Sequence, residues 1–332
     1  MNDSLPKSCL VTGANGFIGA FLVKALLQKN YKVTALVRKS SDFFRLKDLP
    51  INYVHAELTE PDTLWGKLGN FDYLFHIAGI TKAKNKKDFF QVNVLGTKNL
   101  LEVCVKENPN LKRFVFISSQ SAQGPNKTEK PLEENSPCHP ITPYGESKLE
   151  AEKIVFSYKD KFPVTIIRPP SVYGSSDPDL LTFFKFINFG IKLLFGKRES
   201  YLSLCYVENL TEGIILAAES FRGINQIYFI ADDKIYSWKE AEAVIQKILQ
   251  KKAIYVKVPK FVLFTVAFLT ENISKLLGTP AALNKAKAKE FCQQYWLGNI
   301  DKAKNELGFN PKFNLEEGVV KTIKWYKENG WL

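Results

Sequence analysis

The run VTGANGFIGAFLVKALL at residues 11–27 constrains this chain more than any other part of it. A short apolar segment, Cys9 to Val11, leads into Gly13, and Gly16 and Gly19 follow at three-residue intervals. An apolar helix pattern begins at Phe17. That order predicts a strand, a tight glycine turn and a helix. Gly13 lets the backbone turn sharply, Gly16 lets N–H groups approach a pyrophosphate, and Gly19 lets the helix pack close to the strand. The helix N-terminus would face the anion, with Asn15, Phe17 and Ile18 beside it. Glycine turns between strands and helices are common, so this run alone leaves open whether a nucleotide binds.

With 332 residues the chain can bury a large core, as one domain or as a domain with a smaller lobe. Its net charge of +12 raises the question of nucleic acid. The lysines are spread over predicted helix faces and loops, as in KAKNKKDFF and NKAKAKEF, without the arginine and aromatic interleaving that base stacking uses. They read as solvated surface, and no nucleic-acid partner is expected. Cys9, Cys104, Cys138, Cys205 and Cys292 lie far apart with no CxxC pair, as reduced, mostly buried thiols of a cytoplasmic protein do. His55, His76 and His139 offer no metal-ligand spacing, so no metal is expected. The N-terminal MNDSLPKSCL lacks the apolar core of a signal peptide. The most apolar window, FVLFTVAFL from Phe261, falls short of the roughly 20 residues of a transmembrane segment. A buried helix is the first expectation for it and a membrane-surface contact the second.

Past the glycine helix, YKVTALVRKS predicts a second strand ending at Val37, followed by INYVHAEL and FDYLFHIAG. Helical segments lie around DTLWGKL and over residues 88–105. LKRFVFISS, a helix from Tyr144 towards Tyr158, and PVTIIRPP continue the alternation. Apolar strands alternating with helices predict an α/β fold, a doubly wound parallel-sheet Rossmann domain for a dinucleotide, over residues 1–174. Residues 175–332 read mainly as a smaller C-terminal α+β lobe for substrate. In it LLTFFKFINFGIKLLF looks helical and INQIYFIADD holds a short strand. The segment SLCYVENLTEGIILAAES, within 201–232, is expected to return to the main domain as strand and helix. No Gly/Ser/Pro linker separates the two parts, so they should share an extensive interface.

In a dinucleotide fold an acid about 20 residues past the glycines accepts hydrogen bonds from the ribose of NAD. Here the second strand ends in Arg38-Lys39-Ser40-Ser41, with no acid until Asp42. Arg38 would pair with a 2′-phosphate through charge-assisted bonds, which predicts NADP in preference to NAD. The alternative is a solvent-exposed arginine at a strand end.

Downstream, LKRFVFISSQSAQG ends a strand in hydroxyls, and PYGESKLEAEK starts a helix with Tyr144 and Lys148 one turn apart. That spacing stacks both side chains on one helix face. A phenol with pKa near 10 is a poor base at neutral pH, and a neighbouring ammonium would lower it. Tyr144 could then move a proton to or from an alcohol or carbonyl oxygen while hydride passes to or from nicotinamide. Ser119 could hold the same oxygen, and Lys148 could also contact the nicotinamide ribose. A Tyr–Lys pair at this spacing is usually an accident of the surface. Its order after a glycine turn and a hydroxyl-rich strand end gives it weight.

Together TGANGFIG, HIAG, SSQSAQG, YGESK and RPPSVYG resemble the extended short-chain dehydrogenase/reductase superfamily, the NAD-dependent epimerase/dehydratase-like enzymes. The likeness runs from Lys7 to Gly174, and WLGNIDKAKNELGFNP and EEGVVKTIKWY continue it. The resemblance implies that Ser119 is the catalytic hydroxyl, Tyr144 the acid/base and Lys148 its partner. Asn93, in QVNVLGT, matches the asparagine that orders the site; otherwise it is a helix-surface amide. Ala78 and Gly79 match the segment passing the cofactor, and Pro169 to Ser171 the loop beside nicotinamide. Glu57, followed by Leu58, stands where the family more often has an aspartate near adenine. A homodimer through the helix after Tyr144 and the one before Pro109 is also implied.

Within the superfamily the motifs are most similar to the 3β-hydroxysteroid dehydrogenase-like branch. A small-molecule alcohol or ketone, bulky and apolar, would be the substrate. The runner-up is an NAD-dependent sugar-nucleotide epimerase or dehydratase. Those enzymes commonly carry asparagine in place of Ser171, and often HVDD in place of Tyr206-Val207-Glu208-Asn209, although Arg198 could still hold a phosphate. A non-catalytic NADP-sensing protein on the same fold is a third reading, disfavoured because both Tyr144 and Lys148 are present. Phe183, Phe184, Phe186, Phe189 and Phe195 would line an apolar pocket or form core.

Overall fold

Short runs of Val, Ile, Leu and Phe build the framework of the structure, a computed structural model that describes residues 6–195, 199–281 and 283–332. The first six strands are β1 (Ser8–Thr12), β2 (Lys32–Val37), β3 (Asn52–His55), β4 (Tyr73–His76), β5 (Arg113–Ile117) and β6 (Val164–Arg168). Among them lie helices α1 (Phe17–Gln28), α2 (Lys86–Phe89), α3 (Gly96–Glu107), α4 (Gln120–Gln123) and α5 (Pro143–Ser157). Later strands are β7 (Ser171–Tyr173), β8 (Ile191–Phe195), β9 (Tyr201–Tyr206), β10 (Gln226–Phe229), β11 (Ile235–Ser237), β12 (Ile254–Val258) and β13 (Tyr295–Trp296). The later helices are α6 (Leu181–Asn188), α7 (Val207–Glu219), α8 (Trp238–Leu249), α9 (Lys260–Leu276), α10 (Lys285–Phe291), α11 (Asp301–Leu307) and α12 (Leu315–Glu328).

The main sheet has seven parallel strands in the order β10-β6-β5-β4-β1-β2-β3. Side chains alternate across each strand, so both faces need cover. Cys9 and Val11 face α1 and α7 with Val33, Phe75 and Val115. Leu10 faces α3 and α5 with Leu36, Leu74, Phe114 and Phe116. The chain winds outward from β1 to β3 and then crosses back to β4. The strand order therefore reverses between β1 and β4, where Thr12 pairs with His76. Ligands of doubly wound sheets sit in the crevice at that reversal, beyond the carboxyl ends of the strands.

The lobe has its own core. In it β9 is flanked by β11 and β13, β7 also pairs with β9, and α6, α8 and α12 pack over them through Phe184, Ile245, Val319 and Tyr326. Of the returning segment 201–232, α7 and β10 belong to the main domain, whereas β9 pairs in the smaller sheet. Three other local expectations change. The helix around DTLWGKL shrinks to a 3₁₀ turn at Pro61–Thr63, ahead of Gly66 at φ +75°. LLTFFKFINFGIKLLF is not one helix: α6 stops at Asn188, Gly190 turns at φ +84°, and Ile191–Phe195 pairs with β12. The apolar window from Phe261 is helical but not buried, since α9 buries only Leu263 and Ala267.

One buried ion pair ties these parts together behind the site. Arg168 at the end of β6 donates from Nε and Nη2 to the Glu152 carboxylate of α5, at 2.9 and 2.7 Å. The two side chains are 3 % and 4 % exposed. Arg168 Nη1 also donates to Gln123 Oε1 of α4 and to the Glu134 carbonyl, both at 3.1 Å. Arg168→Met leaves Glu152 buried without its cation and should cost about 3–5 kcal/mol in urea unfolding. Adding Glu152→Leu to that variant should restore most of the loss. A cost for the single variant within experimental error of zero would contradict this role.

Candidate active site

The glycine turn is built against a second backbone. Gly13 sits at φ +68°, and a Cβ there would lie 2.6 Å from the Ala78 nitrogen. A Cβ on Gly19 would lie 2.1 Å from the Gly13 carbonyl oxygen. Neither position tolerates a side chain. Gly16 donates its N–H to the Gly13 carbonyl at 3.0 Å and precedes α1 without a side-chain cap. The leading N–H groups of α1, around the half-buried Phe17 and Ile18, thus have no side-chain acceptor. Such an end fits the pyrophosphate of a dinucleotide, whose oxygens would take those N–H bonds. Asn15 Nδ2 donates to the Asp42 carbonyl at 3.3 Å, drawing the loop after β2 towards the turn.

A directional chain of hydrogen bonds runs from this turn to α5, and composition gave no hint of it. Thr97 Oγ1 donates to the Asn93 carbonyl at 2.6 Å and lies 2.9 Å from His76 Nε2. Its one proton is spent on the carbonyl, so it accepts from His76 Nε2–H. His76 Nδ1 then accepts from Thr12 Oγ1 at 2.7 Å, and that oxygen accepts the Ala78 N–H at 3.2 Å. Burial, aided by the charge of Lys148, pushes the His76 pKa down to about 3, so the ring stays neutral as this tautomer requires. The histidine was legible only as a member of HIAG. Its role needed the fold.

Asn93 is buried, not a surface amide, on a π-helical segment (Phe90–Leu95) between α2 and α3. Its Oδ1 accepts the Ile80 N–H at 2.8 Å. Its Nδ2 donates to the Ile80 carbonyl at 3.1 Å and to Ser147 Oγ at 3.0 Å. Ser147 Oγ donates in turn to the Tyr144 carbonyl at 2.7 Å. Asn93 therefore staples the loop after β4 to the start of α5. A Cβ on Gly79 would come 3.0 Å from Asn93 Oδ1 and 3.8 Å from Lys148 Nζ, so the loop passes close to both side chains.

Thr142 Oγ1 accepts the Gly145 N–H at 3.2 Å and starts α5, which carries Tyr144 and Lys148 on one face. The Ser119 hydroxyl acts on the Tyr144 phenol in the direction that favours the phenolate. Ser119 Oγ also accepts the Ser121 N–H at 3.1 Å as the cap of α4. Lys148 Nζ donates to the Ile117 carbonyl at 2.6 Å and lies 4.3 Å from the centre of the Phe116 ring. The expected electrostatics are overturned. Burial pushes the phenol of Tyr144 up to about 12; the Ser119 hydroxyl opposes this, and Glu290 and Asp179 add to it. Burial holds Lys148 down at about 7, with Glu152 opposing. Desolvation outweighs any help the ammonium gives the phenolate, and the ammonium is directed at a carbonyl.

The remaining predicted positions spread along the crevice. Arg38 is exposed at the end of β2 and makes no ion pair among the described residues. Arg45, nearby, is instead engaged by Ser176, through Nε to Oγ at 3.3 Å and Nη2 to the carbonyl at 3.0 Å. Glu57 gives its backbone N–H to Thr63 Oγ1, and the carbonyl of buried Leu58 accepts from Asn99 Nδ2 at 2.8 Å. The Pro169 carbonyl accepts the Gln120 N–H at 2.8 Å, and Ser171 opens β7 in an exposed position. Arg198 lies outside the described residues.

A cavity of about 1490 Å³ lies between segment 123–141 and the lobe. It begins at Gln123 and Ile141, each close in sequence to a catalytic candidate, and reaches Leu132, Phe195, Val258 and Phe261. Lys127, Lys130, Lys257 and Lys260 stand around it. Of the five phenylalanines expected to line a pocket, Phe195 alone borders this cavity. Phe184 is core, Phe189 is exposed, and Phe183 packs edge-on to Trp238 at 4.8 Å. The stripe read at helical spacing is divided between α6 and β8, which sends its rings to different neighbours.

The lysine supplies a test of this geometry. An unfolded lysine titrates near 10.4, so between pH 7 and 10 the unfolded chain binds more protons than the folded one. The contribution of Lys148 to stability is thus lowest below its folded pKa of about 7 and rises with pH above it. Lys148→Met should be more stable than wild type at about pH 6, and the gap in urea midpoint should narrow by about pH 9. A gap independent of pH would contradict the burial of this ammonium.

Comparison with known proteins agrees with this geometry. The NAD dependent epimerase/dehydratase family matches residues 9–231. The chain is 26% identical to the ceramide reductase of Caulobacter vibrioides, over 97% of this chain and 95% of that one. It is 27% identical to the decarboxylating sterol-4-alpha-carboxylate 3-dehydrogenase of Saccharomyces cerevisiae, over 97% and 98% of the two chains. The crystal structure of UDP-glucose 4-epimerase from Thermotoga maritima superposes with a TM-score of 0.80 at 22% identity, covering 97% of this chain and 99% of that one, and so shares the fold. A turn with no room for side chains at Gly13 and Gly19, set at the reversal of a seven-stranded parallel sheet, is what such a family needs to hold its cofactor. The chain belongs to the NAD dependent epimerase/dehydratase family.

Proposed function

We propose that the protein is an NADP(H)-dependent reductase acting on the ketone of a bulky, apolar small molecule. The observation that carries this reading is the pairing of Ser119 with Tyr144, whose phenol is pushed up to about 12, with a large, partly apolar cavity lined by Gln123 and Ile141, close to them in sequence. A phenol that keeps its proton at neutral pH is a donor, and a proton donor serves ketone reduction. Nicotinamide, when bound, supplies the hydride. The chain's own residues do the rest. Ser119 holds the carbonyl oxygen by a hydrogen bond, and Tyr144 delivers a proton to that oxygen as negative charge develops on it. Lys148, beside Gly79, offers its N–H groups to the ribose and keeps α5 anchored to the Ile117 carbonyl. Asn93 holds the loop over the cofactor, and Pro169 and Ser171 border the nicotinamide end.

At the other end the α1 N-terminus takes the pyrophosphate, and Arg38 pairs with a 2′-phosphate because Arg45 is already engaged by Ser176. Glu57 and Leu58 flank the adenine. The relatives named for ceramide reduction and for sterol dehydrogenation support a bulky apolar substrate. A second reading, a sugar-nucleotide epimerase that passes hydride out and back, is favoured by the lysines around the cavity, which suit a diphosphate. Native mass spectrometry of the purified protein separates the two. Tightly retained NAD supports the epimerase, and loosely held NADP supports the reductase.

Tyr144→Phe tests the role of the phenol. With NADPH and a steroid 3-ketone or a long-chain ketone, kcat should fall by about a hundredfold or more, while NADPH binding followed by fluorescence stays close to wild type. A fully active variant would refute the assignment.

A further inference from the structure

The apolar window from Phe261 forms α9 on the surface of the lobe, and its inward stripe is narrow. Leu263 and Ala267 pack on Ala288 of α10, and Thr270 Oγ1 donates to the Leu283 carbonyl at 2.5 Å. The rest of the helix points outward. Phe261, Phe268, Leu269, Ile273 and Leu276 are 73 %, 48 %, 52 %, 55 % and 88 % exposed. No charged residue interrupts this face between Lys260 and Glu271. The strand that leads into it, β12, pairs with β8 and leaves Ile254, Tyr255 and Val256 exposed. An exposed apolar helix face of this length marks an interaction site.

The chemistry of its rim selects the partner. Residues 251–289 hold eight lysines against one acid, Glu271. Lys251, Lys252, Lys257 and Lys260 make no ion pair among the described residues, and Lys285 Nζ lies 4.6 Å from the centre of the Phe268 ring. In a two-fold contact between copies, lysine rims of the same sign would be brought together. Anionic headgroups complement them instead. At 17 residues α9 lies on a bilayer more naturally than it spans one, and no described helix is long and apolar enough to cross a membrane.

We propose that the outward face of α9, with β12 and the lysine rim, docks the protein on an anionic lipid bilayer. The aromatic and aliphatic side chains enter the boundary between headgroups and acyl chains, and the lysines engage the headgroups. The large cavity meets this face, because Lys257, Val258, Pro259, Lys260 and Phe261 border it and also lead into α9. An apolar substrate could therefore pass from the bilayer into the cavity without crossing water. That last step rests on the reductase reading; the docking does not.

Co-sedimentation of the full chain with vesicles tests it. The protein should pellet with phosphatidylcholine/phosphatidylglycerol vesicles, bind phosphatidylcholine vesicles at least about tenfold more weakly, and be released by high salt. Phe268→Ser/Leu269→Ser changes two exposed residues outside the cavity wall and should lower binding by about tenfold or more, with the thermal melting profile and NADPH binding unchanged. Wild type that stays in the supernatant with the anionic vesicles, or a double variant that binds as wild type does, overturns the proposal. A dimer in light scattering that the double variant dissociates would assign the face to a second copy and overturn it too. Tyr144→Phe should pellet like wild type, so a failure of the catalytic reading and a failure of docking are read separately.

Discussion

Two backbones approach closely at Gly13 and Ala78. A methyl group on Gly13 would occupy the space of the Ala78 nitrogen, so the turn after β1 and the loop after β4 touch only because one of them has no side chain. This contact lies where the strand order reverses, and it opens the crevice at the head of α1. From Ala78 the chain of Thr12, His76 and Thr97 reaches the Asn93 carbonyl. The Asn93 side chain then reaches α5 through Ser147. The glycine turn and the start of α5 are thus fixed to each other by a run of buried hydrogen bonds, each directional and each satisfied.

Desolvation governs the electrostatics on this framework. It neutralises His76, lowers Lys148 and raises Tyr144. The resting site therefore holds a protonated phenol and a lysine poised near neutrality, instead of a phenolate beside an ammonium. That state matches a proton donor for reduction. The surface of the lobe follows a different logic. Its apolar strip and most of its lysines stay outside the core, and Lys257, Lys260 and Phe261 also border the large cavity.

The parallel-sheet framework was legible, and the Tyr144–Lys148 pair could be singled out, because both rest on local spacing. Three glycines at three-residue steps and a tyrosine four residues before a lysine keep their meaning in any fold with this order of elements. What was not legible depends on partners distant in sequence. His76 looked like one scattered histidine, and its neighbours Thr12 and Thr97 come from β1 and α3. Nothing local in YGESK reveals that its lysine points to a carbonyl of β5. The window from Phe261 has the composition of a core helix, and only the small area of α10 facing it leaves most of its side chains outside. The division of LLTFFKFINFGIKLLF into helix and strand turns on Gly190, a single residue inside a continuous apolar pattern.

If the glycine turn and Arg38 together receive a 2′-phosphorylated dinucleotide, NADP and NAD must bind unequally. Calorimetric titration of NADP and NAD into wild type and Arg38→Asp tests it most directly. Wild type should bind NADP about tenfold or more tightly than NAD, roughly 1.4 kcal/mol, and Arg38→Asp should reverse that order without abolishing NAD binding. An unchanged preference in the variant, or a wild type that binds neither dinucleotide, would contradict the account.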